Sequence, residues 1–227
     1  MKIWLSKQSR LIAKDKKKIE LSRIFWKGHK PTILSSIRSI VQEADQVGIP
    51  LFCYDYADSM LYKNYPTYDG ISLKFPMEFT GNFIITKEEK STHYDYKRQE
   101  GSTLQITYNN LGMLLVFISP STSGDSEAVH ADINIYTTYN PADVTEKVIR
   151  KWIKQFFLYH RCTAVLHHPS YIDRLKCYFL KIHCSVRAYL HPDERFKRVT
   201  GLYIPSISTF FAFLACCLVL YQILKTP

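Results

Sequence analysis

Four side chains in this sequence have the types and placement to do chemistry. Asp55 and Asp58 close an apolar run, and His130 and Asp132 follow the small polar loop PSTSGDSEAV. A carboxylate at the end of a strand is a common place for chemistry in open α/β sheets. With lysines to hold a phosphate, these four residues would serve an enzyme acting on a phosphate-bearing substrate. Against that, YDYADS has turn composition, where Asp and Ser bond their own backbone. The loop adds Ser123, Asp125, Ser126 and Glu127, but the chain has no G-x-S-x-G elbow, no P-loop and no H-E-x-x-H spacing. The leading expectation is therefore a non-enzymatic protein, with no cofactor.

A second cluster could hold a metal. His160, His167, His168, His183 and His191 share the stretch 159–191 with Cys162, Cys177 and Cys184. Zinc needs about four converging N or S ligands, so the inventory suffices, yet no paired-ligand spacing occurs. Packing and juxtamembrane solvation are the expected roles, with no metal. Of the six cysteines, Cys216 and Cys217 fall in the C-terminal apolar run, and Cys53, Cys162, Cys177 and Cys184 lack C-x-x-C spacing, as expected of reduced thiols in a cytosolic domain.

The charge of the chain is localised. Eight lysines and two arginines against Asp15 and Glu20 give residues 1–30 a charge of +8, so only +2 of the total +10 falls on the other 197 residues. Anionic lipid headgroups are the natural partner of such a segment, each Lys or Arg near the surface contributing about 1 kcal/mol. Lys2, Lys7, Arg10, Lys14, Lys16, Lys17 and Lys18, with Trp4 for the interface, are the expected contacts. Residues Ile3, Leu5, Leu11 and Ile12 would add apolar area if the segment is helical. A solvated face and a nucleic-acid tether are the competing readings. Nucleic acid ranks below lipid because no nucleic-acid-binding motif accompanies the basic run.

What would position that segment is the other end of the chain. Tyr203 to Leu224 carry no charged side chain. As a helix these 22 residues reach roughly 33 Å, enough for a hydrocarbon core of about 30 Å. Arg195, Lys197 and Arg198 precede the span and only Lys225 follows it, which places the N-terminal part in the cytoplasm. The expectation is a single-pass, tail-anchored topology. Ser208, Ala212 and Cys216 recur every four residues and could bring two such helices together as a homo-oligomer.

Between these ends, the pattern predicts one α+β domain over 31–198, with a basic segment at 1–30 and the anchor at 199–227. Ile33, Leu34, Ile37, Ile40, Val41, Ala44 and Val47 have helical spacing after Pro31, with Gly48 as a stop. Ile49 to Tyr54 reads as a buried strand, and 60–81 as an irregular connection. Short strands are expected at 82–86 and 93–97. Thr103 to Tyr108 and Met113 to Ser119 form a hairpin around Asn109–Gly112, and 132–139 alternates again. Asn140-Pro141-Ala142-Asp143 opens a helix whose apolar face is Val144, Val148, Ile149, Trp152, Ile153 and Phe156. Cys162 to Leu166 reads as a strand, and 171–190 fits both periods, with strand favoured towards its end. The result is a mostly antiparallel sheet covered by two amphipathic helices, plus the transmembrane helix. Such a domain is expected to bind an unidentified protein partner or signal at the membrane surface, as in a self-associating stress or host-defence effector.

Overall fold

The computed structural model describes residues 1–58, 69–88 and 91–187. Among these described residues, eight strands and three α-helices form an α+β fold with two antiparallel sheets. The larger sheet comprises β1 (Phe52–Asp55), β2 (Asp69–Lys74), β5 (Thr103–Tyr108), β6 (Leu114–Ser119) and β8 (Ile133–Thr138), in the order β1-β2-β5-β6-β8. The smaller comprises β3 (Glu78–Glu88), β4 (Ser91–Glu100) and the two-residue β7 (Thr122–Ser123). The helices are α1 (Lys2–Gln46), α2 (Glu146–Thr163) and α3 (Tyr171–Arg187).

The hairpin β5–β6 is the centre of the large sheet, as its alternation predicts. Leu104, Ile106 and Tyr108 pair with Ile118, Val116 and Leu114, and Ile71 and Leu73 of β2 continue the same face. All eight are buried. Because side chains alternate along a strand, this row of strong hydrophobes faces the helices, while Thr103, Gln105 and Thr107 with the half-buried Leu115 and Phe117 face away. Helix α1 covers this face through Ser22, Trp26, Ile33, Ile37, Ile40 and Ala44, all buried at spacings of three, four or seven residues. Helix α2 adds Ile149, Trp152, Ile153, Phe156 and Tyr159.

Helix α1 corrects the expected break at Pro31. It starts at Lys2, and Pro31 lies inside it. Proline in a helix interior removes one backbone bond and crowds the carbonyl four residues earlier. Here Pro31 is on the solvent side, where the carbonyl of Lys27 can turn to water, while Trp26, Lys30 and Ile33 pin the adjoining turns to the sheet. Tertiary packing outweighs local propensity.

Several other expectations are corrected. The strand expected at 49–54 is four residues long and lies at a sheet edge, with Phe52 and Tyr54 exposed. The stretch expected to be irregular holds β2, a strand with buried Ile71 and Leu73 hidden in sequence by Pro and Gly on either side. The two short strands are the middles of an 11- and a 10-residue strand, joined as a ribbon with a bulge between Phe79 and Phe83. Asn140 caps a 3-10 turn, Pro141–Asp143, and α2 itself begins later, behind Thr145. Cys162 and Thr163 finish α2 rather than start a strand, and Tyr171–Arg187 is helix. There the polar alternation misled, because Cys177, Leu180 and Cys184 form a separate buried helical row.

No helix among the described residues is long and apolar enough to cross a membrane. The expected span 203–224, with Ser208, Ala212 and Cys216, lies outside the described residues, as do Arg195, Lys197 and Arg198.

Candidate functional site

Of the basic residues singled out in the sequence, those from Lys2 to Lys18 occupy one rod, α1. Residues 3–18 of α1 are almost wholly exposed and precede the packed part, which begins with half-buried Ile19 beside Gly112 and buried Ser22. At 100° per residue, Trp4, Leu5, Leu11, Ile12 and Ile19 fall within an arc of about 120°. Lys7, Arg10, Lys14 and Lys17 share the opposite side, and Lys16 and Lys18 border the arc. Asp15 interrupts the apolar arc and pairs with Lys18 at 3.9 Å. Ile3, Ser6, Lys7, Arg10, Leu11 and Lys14 line an open groove along the helix, apolar and basic together. Ile3, Trp4, Leu5, Leu11 and Ile12 are 45–89 % exposed. An unsupported helix of about 20 residues is marginal in water. What holds its direction is the packed half.

That attachment is built around Lys30. Its Nζ is 2.5 Å from Asp55 Oδ1 and 2.6 Å from Asp69 Oδ1, with the Lys30 side chain only 12 % exposed. Trp26 Nε1 donates to Asp69 Oδ2 at 2.8 Å, and its indole stacks on Tyr108 with centroids 5.4 Å apart. Ser22 Oγ donates to the Gly112 carbonyl at 2.7 Å. The register explains the convergence. Asp69 pairs with Tyr108, and Asp55 pairs with Ile71, so both carboxylates are on the helix-covered face at one end of the sheet. Burial lowers the affinity of Lys30 for its proton, but the bonds and charges of Asp55 and Asp69 outweigh it and raise the pKa above the ordinary lysine value. Lys30 is thus a fixed cation held between two carboxylates.

The four catalytic candidates do not share one site. Asp55 is committed to Lys30 and also accepts from the Ala57 N–H at 2.9 Å. Asp58 ends the exposed 3-10 turn that follows β1. His130 and Asp132 precede β8, at the opposite edge of the five-stranded sheet, about 19 Å away at 4.8 Å per strand. His130 is half-buried, and burial, helped by Lys181, lowers its pKa. Asp132 is exposed.

In the histidine- and cysteine-rich stretch, His160, Cys177 and Cys184 are buried. His160 stacks on Phe75 and its Nδ1 is 3.1 Å from Ser102 Oγ. Burial, with His167 nearby, pushes its pKa down to about 4. Burial pushes the Cys162 thiol up to about 12 and raises Cys177 as well, so neither is a ready thiolate. Tyr159 donates to the Ala131 carbonyl at 2.6 Å. Among the described residues, no three His, Cys, Asp or Glu side chains converge as metal ligands. His191 lies outside them.

Lys30, Asp69 and Trp26 are the residues that sequence reading missed. Lys30 is one cation in a basic run, and its carboxylate partners are 25 and 39 positions away, so no local pattern marks them. No protein-family model, curated protein or solved structure matches the chain.

Proposed function

We propose that this chain is a single-pass membrane protein whose α+β domain works at an anionic cytoplasmic membrane surface. The projecting half of α1 lies along the headgroups, and residues 203–224 anchor the chain. The observation that supports this is the exposed apolar arc of α1 among lysines and arginines. A basic amphipathic helix gains from both terms at a bilayer, burying its apolar side at the acyl boundary and pairing its cations with anionic lipid. In the anchor, Ser208, Ala212 and Cys216 allow two copies to associate.

Membrane fractionation tests both contacts. The full chain is expected to resist high-salt and carbonate washes. A chain ending at Arg198 is expected to bind phosphatidylserine vesicles at low salt only, and to lose most of that binding in Lys14→Gln/Lys16→Gln/Lys17→Gln. Release of the full chain by carbonate overturns the anchor, and undiminished vesicle binding of the truncation in the triple variant overturns the role of α1.

A further inference from the structure

Helix α3 has two apolar faces, and the fold uses one. Cys177, Leu180 and Cys184 are buried against the domain. Tyr171, Ile172, Leu175, Tyr178 and Phe179, at spacings i, i+1, i+4, i+7 and i+8, form a continuous stripe on the other side. All five are 45–81 % exposed. Charge borders the stripe in a regular way. Arg174 and Lys176 flank it on either side, both exposed. The one acidic residue of the helix, Asp173, points away from the stripe and is bound to Arg161 at 3.2 Å.

We infer that this stripe is a membrane-docking face, on which α3 lies flat in the headgroup layer of an anionic bilayer. The inference rests on the anchoring proposed above and adds the domain's orientation to it. Three features select a bilayer as the occupant. Only 15 residues, 188–202, separate α3 from the uncharged run that starts at Tyr203. Even fully extended they span at most about 50 Å, which limits how far the helix can stand from the bilayer. Tyr171 and Tyr178 carry hydroxyls on apolar bodies, the chemistry of an interfacial belt. Arg174 and Lys176 can lay their stems along the stripe and place their charges among lipid phosphates.

The test uses the full chain in phosphatidylcholine–phosphatidylserine vesicles containing a phospholipid with a photoactivatable acyl chain, followed by peptide mapping. Label is expected in 203–224, in the apolar arc of α1 from Trp4 to Ile12, and in Tyr171–Phe179. The variant Phe179→Glu, at an exposed position, is expected to lose at least five-fold of the α3 label while the 203–224 label and the circular dichroism stay unchanged. Label in 203–224 with none in α3 overturns the docking face and leaves the anchor standing. No label in 203–224 overturns the anchoring itself, and the orientation argument with it.

Discussion

His160 lies face to face with Phe75, ring centroids 3.7 Å apart and planes within 10°. The contact joins α2 to the segment that leads from the large sheet into the ribbon. Its stability depends on the imidazole being neutral. An unfolded histidine titrates near 6.5, and burial first, then His167, lowers the folded value to about 4. A group with a depressed folded pKa that must be neutral contributes stability above the unfolded value and loses it as pH falls towards the folded one. The stability to urea is expected to decline between pH 6.5 and 4 by about 3 kcal/mol from this residue. His160→Phe should flatten most of that slope, leaving the part due to His130. An unchanged slope in the variant would show that the imidazole does not carry it.

Lys30→Met leaves Asp55 and Asp69 facing each other with no cation between them. Removing one partner of a largely buried ion pair costs about 3 kcal/mol or more. Adding Asp55→Asn is expected to restore part of the loss, which a double-mutant cycle in urea measures. The lysine also predicts an alkaline effect. Its folded pKa is raised, so its contribution is full below the ordinary lysine value and is lost as pH rises through the raised one.

Two glycine-to-alanine changes should have opposite signs. At Gly101 a Cβ would meet the Phe75 carbonyl oxygen at a distance that backbone must move to relieve, so Gly101→Ala is expected to cost about 1–3 kcal/mol. At Gly28, inside α1, nothing lies within 4 Å of the added atom. There the change is expected to stabilise by about 0.5–1 kcal/mol, through helix propensity. Thermal unfolding of the two variants settles the pair.

The ribbon β3–β4 should open more readily than the large sheet. Beyond its bulge, Phe83, Ile85, Tyr94 and Tyr96 share one face and are about half exposed, and Phe83 touches both tyrosine rings near 5.9 Å. A two-stranded ribbon has little to hold it against water. Amides from Phe83 to Thr86 are expected to exchange at least ten-fold faster than those of Leu104–Tyr108. Equal protection would contradict this.

How legible the fold was depended on whether burial was one-sided. The β5–β6 hairpin, with clean alternation and Asn109–Gly112 as its turn, was readable because one face of each strand is packed. The buried row of α1 was readable only from Ile33 onward. Before it, Ser22, Trp26 and Lys30 hold the same face with polar atoms, and a hydropathy pattern does not register a serine bonded to Gly112 or a lysine bonded to two aspartates. In α3 an apolar residue on each side of the helix imitated the alternation of a strand. Of the proposed membrane site, the basic residues were visible in composition, but their one-piece helix and its attachment were not.

The continuity of α1 has a mechanical consequence. Its 45 residues make a rod of about 67 Å, held to the sheet from Ser22 onward and exposed over most of the roughly 30 Å before it. With no joint at Pro31, a 10° change in the direction of the clamped half moves the tip by about 5 Å. A load applied at Trp4 is therefore delivered as torque to Gly112 and Asp69, at the end of the central hairpin.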